Sequence, residues 1–213
     1  MYHTVVINVD ELWLKGKNRP VYFKKLRNHI KELIKKRHGA EFKCKTEEQR
    51  MVASSETAFS EETIQALLKI PGIHSVMPSR RVEVSIEAIF AAVKEELDQM
   101  ETLPKTFKVE TRRSYKGFPM QSMEVSRQVG GHVLQNFDNI SVDVKNPELR
   151  IEIRIMERNV YVASRKTKGI GGLPAGTSGH LVTLLSGGFD SPVASFLMSK
   201  RGCRQTFVFF YAY

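Results

Sequence analysis

Hydrophobic and polar positions along the 213 residues alternate between a helix period and a strand period. Residues 2–9 (YHTVVINV) form a short apolar-rich run that predicts a strand. After a loop, Phe23, Leu26, Ile30, Leu33 and Ile34 recur every three or four positions, the stripe of an amphipathic helix. Asn18 or Arg19 stands near its cap, Pro20 occupies the first turn, where a missing N–H costs nothing, and Gly39 ends it. Short strands are predicted at about 41–45 and 51–55. Ser60 then caps a short helix with Ile64, Leu67 and Leu68 inward, Pro71-Gly72 breaks it, and 73–77 reads as a strand. The order β-α-β-β-α-β predicts a split-βαβ, ferredoxin-like arrangement.

From residue 85 to 100 the pattern is the clearest amphipathic helix in the chain. Ile86, Ile89, Phe90, Val93, Leu97 and Met100 share one face, and Glu95, Glu96 and Asp98 are expected to face away from it. A strand at 106–111 runs into the basic turn RRSYKGFP. A helix over 122–137 carries Val125, Val129, Val133, Leu134 and Phe137. Leu149, Ile151, Ile153 and Ile155 then alternate with Arg150, Glu152 and Arg154, a half-buried strand of period two that pairs with 160–163 across the turn at 157–159. Residues 80–164 therefore read as a second α/β unit.

RKTKGIGGLPAGTSGH follows, with five glycines in sixteen residues. It reads as a linker or a phosphate-approaching loop, and because it does not lie between a strand and a helix it is no dinucleotide fingerprint. Leu181 to Leu185 is a continuous apolar run of the kind a buried parallel strand shows. SGGFDS comes next, and Pro192 to Met198 reads as a helix with proline at its first turn.

Composition narrows the class. No apolar run approaches the roughly 20 residues of a membrane span, and the first residues lack the basic region and cleavage site of a secretion signal, so the expected compartment is the cytoplasm. The two cysteines, Cys44 and Cys203, have no metal-binding or disulfide spacing and read as packing residues. The formal charge of +10 favours a polyanionic partner. Between Lys15 and Arg37 there are ten basic residues against Glu32, and between Lys105 and Lys116 five against Glu110. Either patch alone is also what a solvated face looks like; the two together suggest a nucleic-acid footprint.

The chemistry concentrates in SGGFDS. A strand, a glycine-rich turn and a helix start suit a phosphate group: Gly187 and Gly188 let the backbone approach an anion, and free N–H groups with the helix dipole favour negative charge. Ser186 and Ser191 can donate hydroxyl hydrogen bonds. Asp190 would repel a phosphate unless it caps the helix or holds magnesium. The competing reading is an ordinary N-cap at Asp190 or Ser191 with a tight turn before it. There is no GK[ST] of a Walker A loop and no G-x-S-x-G of a hydrolase.

SGGFDSPVA resembles the SGGxDS signature of the PP-loop pyrophosphatases, which transfer AMP from ATP with release of pyrophosphate. ELWLKGKNR, IPGIHSV, RRSYKGFPMQSMEVSRQVGG, VKNPELRIEIRI and GIGGLPAGTSGHLVTLLSGGFDSPVA are similar, in order, to segments of the tRNA 4-thiouridine synthetase family (ThiI). The resemblance implies an α+β and α/β chain: a ferredoxin-like domain at 1–78, a THUMP RNA-binding domain at 79–165, a glycine-rich linker at 166–180, and from 181 to 213 the first β-α-β of a PP-loop domain. It implies an ATP-dependent tRNA sulfurtransferase that adenylates a uridine at the junction of acceptor and D arms. Sulfur would arrive as a persulfide from a cysteine desulfurase, and in some members the relay also serves the thiazole of thiamine. ATP and Mg2+ are the implied cofactors; no resident metal site is expected, and a homodimer is left open.

Carried across by position, Ser186, Gly187, Gly188, Asp190 and Ser191 would cradle the ATP phosphates, with Asp190 as the catalytic residue. Thr183, Leu184, Phe209 and Phe210 would line the adenine side, with core packing the alternative for each Phe. RNA would meet Lys15, Lys17 and Arg19 in the first domain, Arg112, Arg113 and Lys116 in the second, and Arg165, Lys166 and Lys168 after it. Tyr115 and Phe118 either stack on bases or pack on their own domain. The family's catalytic cysteines lie downstream of SGGxDS, beyond Tyr213, and Cys203 is expected on the following helix as a packing residue. A β-α-β piece of this size buries little surface and leaves an open strand edge. The chain alone is therefore expected not to complete sulfur transfer. The rival readings are an RNA-binding module with a vestigial nucleotide loop and, behind it, an adenylating enzyme for a small metabolite.

Overall fold

The computed structural model describes residues 1–48 and 50–210. In chain order its elements are β1 (Thr4–Asn8), a 3-10 segment (Glu11–Asn18), α1 (Arg19–His38), β2 (Phe42–Glu47), β3 (Arg50–Ser55), α2 (Glu61–Leu68), β4 (Ser75–Val82) and α3 (Ile86–Asp98). After these come β5 (Thr106–Arg113), α4 (Ser122–Asn136), β6 (Ser141–Val142), β7 (Leu149–Ile155), β8 (Val160–Ala163), β9 (Thr167–Lys168), β10 (His180–Leu185), α5 (Asp190–Lys200) and β11 (Arg204–Phe209). The predicted continuation of the last strand through Tyr211 to Tyr213 lies outside the described residues. Two compact units emerge, one from residues 1–6 with 77–166, the other from 7–76 with 167 onward.

The unit of residues 7–76 has the ferredoxin-like order β2-β3-β1-β4. Its loop before α1 is ordered: two 3-10 turns meet at Gly16, whose φ of 51° suits a residue without a Cβ. Pro20 lies in the first turn of α1, and Gly39 closes that helix in the left-handed conformation at φ 67°. Leu26, Ile30 and Ile34 are fully buried, as are Ile7, Met51, Ala53, Leu67 and Ile73; each large aliphatic side chain so buried contributes about 1.5–3 kcal/mol. Ser60 accepts the Thr63 N–H at 3.2 Å and starts α2.

To this unit belongs the glycine-rich stretch, which is not a free connection. Thr167 and Lys168 form β9 against Val76 and Ser75, Gly169 and Gly171 donate backbone hydrogen bonds to the His74 and Ile73 carbonyls, and Leu173 and Pro174 are buried. Leu173 donates to the Lys200 carbonyl at 2.8 Å, tying the stretch to the end of α5. Here β10 and β11 pair in parallel with α5 as the crossover, in the register Leu181↔Gln205 to Leu185↔Phe209. The apolar run 181–185 is not a buried strand: Val182 and Leu184 are 61% and 62% exposed, since α5 accounts for one face only. Cys203 lies in the turn after α5, not on it, and is buried with its Sγ 3.5 Å from the Ser178 carbonyl.

The other unit has the order β4-β8-β7-β5-β6, with β5 and β7 parallel and β7 and β8 antiparallel. Ile151, Ile153 and Ile155 of β7 are fully buried against Ile89, Val93, Val125, Val129 and Val133 of α3 and α4. Three expectations change here. Glu96, expected in solvent, is 3% exposed, because Tyr2 and Ser164 donate to its carboxylate at 2.9 and 2.5 Å and Arg80 Nε lies at 2.8 Å. Glu152 and Arg154, expected on a wet face, are buried and paired at 2.6 Å. Phe118 is buried in the α3-α4 core, and Tyr115 packs against it, so Phe118 does not present a stacking face.

Candidate nucleotide and nucleic-acid sites

At the C-terminal edge of β10 the chain leaves the sheet as Ser186-Gly187-Gly188-Phe189 and turns directly into α5. The geometry excludes the ordinary-cap reading. Phe189 holds the cap position, no side chain caps the helix, and Asp190 and Ser191 are its first two residues. Ser191 Oγ instead accepts the Ser186 N–H at 3.0 Å and lies 3.1 Å from Ser186 Oγ, while the Gly188 N–H approaches Ser186 Oγ at 3.4 Å. One hydroxyl hydrogen is used between the two serines, which leaves the other to donate outward.

Neither Gly187 nor Gly188 has a positive φ, and a Cβ there would meet nothing, or only Ser186 Oγ at 3.6 Å. The fold itself does not require glycine at these two positions. Bare backbone beside an uncapped helix start fits a phosphate, which gains about 0.3–1 kcal/mol from the helix dipole. Asp190 is exposed. Among the described residues no cluster of three or more His, Cys, Asp or Glu is arranged to hold a metal ion.

The adenine-side candidates lie on the same edge. Phe209 pairs with Leu185 in register, placing it beside the start of the loop, and Phe210 follows it; both are exposed. Leu184 is exposed as well. Thr183 Oγ1 donates to Gln205 Oε1 at 2.7 Å, and Gln205 in turn donates to the Ser195 carbonyl and Ser199 Oγ, so these residues lock β10, β11 and α5 together.

The basic candidates divide by what already holds them. Lys17, Arg112, Lys116, Arg165 and Lys168 are exposed, and Arg112 reaches Glu110 at 3.2 Å. Lys15 Nζ sits 5.4 Å from the Tyr22 ring centroid. Arg19 stacks on Trp13 and donates to its carbonyl at 2.9 Å, Arg113 donates to the carbonyls of Phe118 and Met120, and Lys166 pairs with Glu152 at 2.9 Å. In the unit of residues 1–6 and 77–166, a cleft of about 590 Å³ is lined by His3, Arg80, Arg81, Ala88, Ala92 and Glu95 among others. Its Arg80 is oriented by Glu95 and Glu96, a network that joins residues too distant in sequence for any local pattern to link them.

Comparison with known proteins places the chain. Residues 4–77 match the ThiI ferredoxin-like domain, 83–165 the THUMP domain, and 176–213 the thiamine biosynthesis protein (ThiI) family. A Bacillus pumilus protein named "Probable tRNA sulfurtransferase" is 36% identical over 99% of this chain and 52% of its own length. The crystal structure of PH1313 from Pyrococcus horikoshii aligns over 98% of this chain and 69% of that one, with TM-score 0.83 and 30% identity. A 4-thiouridine synthetase solved with RNA and bound ATP aligns over 100% of this chain and 53% of that one, with TM-score 0.81 and 30% identity. The chain spans about half the length of the curated relatives it matches. No helix among the described residues is long and apolar enough to cross a membrane. With three consecutive family matches and these relatives, the chain belongs to the ThiI family.

Proposed function

We propose that the chain is the tRNA-binding and ATP-phosphate-binding part of an ATP-dependent tRNA sulfurtransferase that forms 4-thiouridine. The observation that carries the reading is the uncapped start of α5 beside two glycines that nothing in the fold requires. Ser186, Gly187, Gly188 and Ser191 hold the triphosphate through hydroxyl and backbone N–H donors, and Asp190 would hold a magnesium ion, which would offset the phosphate charge. A uridine oxygen receives AMP as pyrophosphate leaves; the terminal sulfur of a persulfide supplied by a cysteine desulfurase then displaces the AMP, and a second thiol breaks the remaining S–S bond, leaving the sulfur on the base and a disulfide that an external thiol reductant returns to the reduced state. Leu184, Phe209 and Phe210 are the apolar candidates for contact with adenine, with Thr183 next to Leu184 on β10. Lys17, Arg112, Lys116, Arg165 and Lys168 are exposed and are the candidates for contact with RNA phosphates, while Lys15, Arg19, Arg113 and Lys166 first serve their own domains. These contacts position the RNA and do not read its bases. A role in thiamine thiazole synthesis would use the same sulfur delivery. Val182 and Phe207, also exposed, leave apolar surface on both faces of the β10-β11 pair.

The test is calorimetric titration with Mg-ATP beside tRNA retention at low salt. Asp190→Ala should weaken ATP at least about tenfold, the loss of one charge-assisted contact of about 1.4 kcal/mol or more, and leave tRNA retention unchanged. ATP binding unaltered by Asp190→Ala would sink the assignment. The same exposed apolar faces favour a second reading, an RNA-binding module with a vestigial loop, which tRNA retention without any ATP heat would support.

A further inference from the structure

On α1, Lys25, His29 and Glu32 share one stripe at helical spacing, while Arg27 and Lys31 face the other way, towards Cys44 of β2. That stripe meets the segment after the buried Leu173-Pro174. Thr177 and Ser178 both donate backbone N–H groups to the Gly202 carbonyl at 3.0 Å, and Arg204 N–H donates to the Gly179 carbonyl at 2.9 Å, so the segment is pinned to the start of β11. Gly176 sits at its crest with φ 78°, and a methyl group placed on it would lie 3.4 Å from Lys25 Nζ and 3.9 Å from Arg204 Nε.

Two cationic heads from elements far apart in sequence therefore flank one backbone position, with His29 beside them. Arg201, three residues earlier, is paired with Glu11 at 3.6 Å, but among the described residues neither Lys25 nor Arg204 has a side-chain hydrogen bond or ion pair. Burial first, then the charges of Lys25 and Arg204, hold the His29 imidazole below its usual pKa against the opposing pull of Glu32. A gathering of like charges with a single acid nearby is unfavourable by itself and becomes favourable around an anion.

We propose that Lys25 and Arg204, gathered at the Gly176 backbone, together with His29 one turn along α1 from Lys25, hold a backbone phosphate of the bound RNA. The site lies at the N-terminal end of β11, the strand end opposite the SGGFDS loop, and is distinct from the ATP cradle. It rests on the reading of the protein as tRNA-binding. An anion here stabilises imidazolium, so binding raises the His29 pKa and RNA affinity rises as pH falls through it.

Two measurements test this. The first is the salt dependence of binding to labelled tRNA for the chain, for Lys25→Gln/Arg204→Gln and for a charge-matched control, Lys43→Gln/Lys45→Gln on β2. The double variant should lower the log-log slope by about 0.7 to 0.9, since one phosphate contributes about 0.9 on duplex and 0.7 on single strand, and the control should not. An unchanged slope in the double variant, or an equal fall in the control, overturns the proposal while leaving tRNA binding intact. Failure of the unaltered chain to bind tRNA overturns the broader reading with it. The second follows the His29 ring by NMR: tRNA should raise its pKa. No movement with tRNA, or movement only with inorganic pyrophosphate, overturns the assignment to RNA.

Discussion

A Cβ on Gly172 would sit 2.0 Å from the Lys200 carbonyl oxygen, whereas a Cβ on Gly187 would meet nothing within 4 Å. Both glycines belong to stretches that look alike in sequence, short runs of Gly and Ser between apolar segments. Gly172 also has a φ of 82° and lies where Leu173 donates to that same carbonyl, so packing and backbone conformation both require it. Gly187 is under neither constraint. A glycine that the fold demands reports on assembly, and a glycine that the fold leaves free beside an uncapped helix reports on what approaches from outside.

The largest expected effect breaks the comparison on its structural side. Gly172→Ala meets a left-handed penalty of about 1–2 kcal/mol and overpacking of about 1–3 kcal/mol. Urea unfolding should therefore show a loss of about 2–5 kcal/mol, and a loss under 1 kcal/mol would mean that the α5 end moves aside freely.

Helices α3 and α5 extend the contrast. Ser85 accepts the Ala88 N–H at 3.1 Å to start α3, which buries Ile89, Val93 and Leu97 and even Glu96. Nothing caps α5, and Ser195 is its single buried residue. Local pattern located both helices within a residue or two, because caps and apolar spacing are local. The burial of Glu96 was not legible: its partners Tyr2, Arg80 and Ser164 come from other elements. Arg112 and Arg113 likewise read as a turn yet continue β5, since Arg112↔Arg154 and Arg113↔Ile155 pairing is a property of the sheet. The SGGFDS site was legible as a linear motif. Its missing cap, and the gathering of Lys25 with Arg204, depend on how β10, α5 and β11 fold back.

Glu96→Gln comes next in size. It leaves Arg80 facing a neutral group while Tyr2 and Ser164 keep an acceptor, and breaking a buried pair in this way costs about 2–3 kcal/mol. The Tyr2 phenol is pushed up first by burial, against its Ser164 hydrogen bond and with the Glu96 charge adding. In Glu96→Gln its absorbance titration should shift to lower pH; no shift would detach Tyr2 from the network.

A smaller effect concerns Glu152. Burial pushes its carboxyl up, but the Lys166 hydrogen bond and the Arg154 charge outweigh burial, and its pKa is lowered overall. A carboxylate with a lowered folded-state pKa contributes stability above its unfolded value of about 4.3 that is lost as pH falls through the folded one. Lys166→Gln removes part of that pull. Its acid unfolding midpoint should move to higher pH, with about 1 kcal/mol lost near neutrality; an unmoved midpoint would leave Arg154 as sole partner and free Lys166 for RNA.

The smallest effect on stability is the sharpest on function. Gly187→Ala has an allowed φ and open space at its Cβ, so its unfolding free energy should match that of the unaltered chain within about 0.5 kcal/mol. If the loop receives phosphate, the added methyl stands where the anion approaches, and Mg-ATP affinity should fall about tenfold or more, a change of about 1.4 kcal/mol. The two readouts divide the explanations. Loss of stability would show that the turn itself needs glycine, and equal ATP affinity with full stability would show that Gly187 faces no ligand. Only a stable variant with weakened ATP binding separates Gly187 from Gly172, because only then is glycine kept at that position for a molecule the chain must admit.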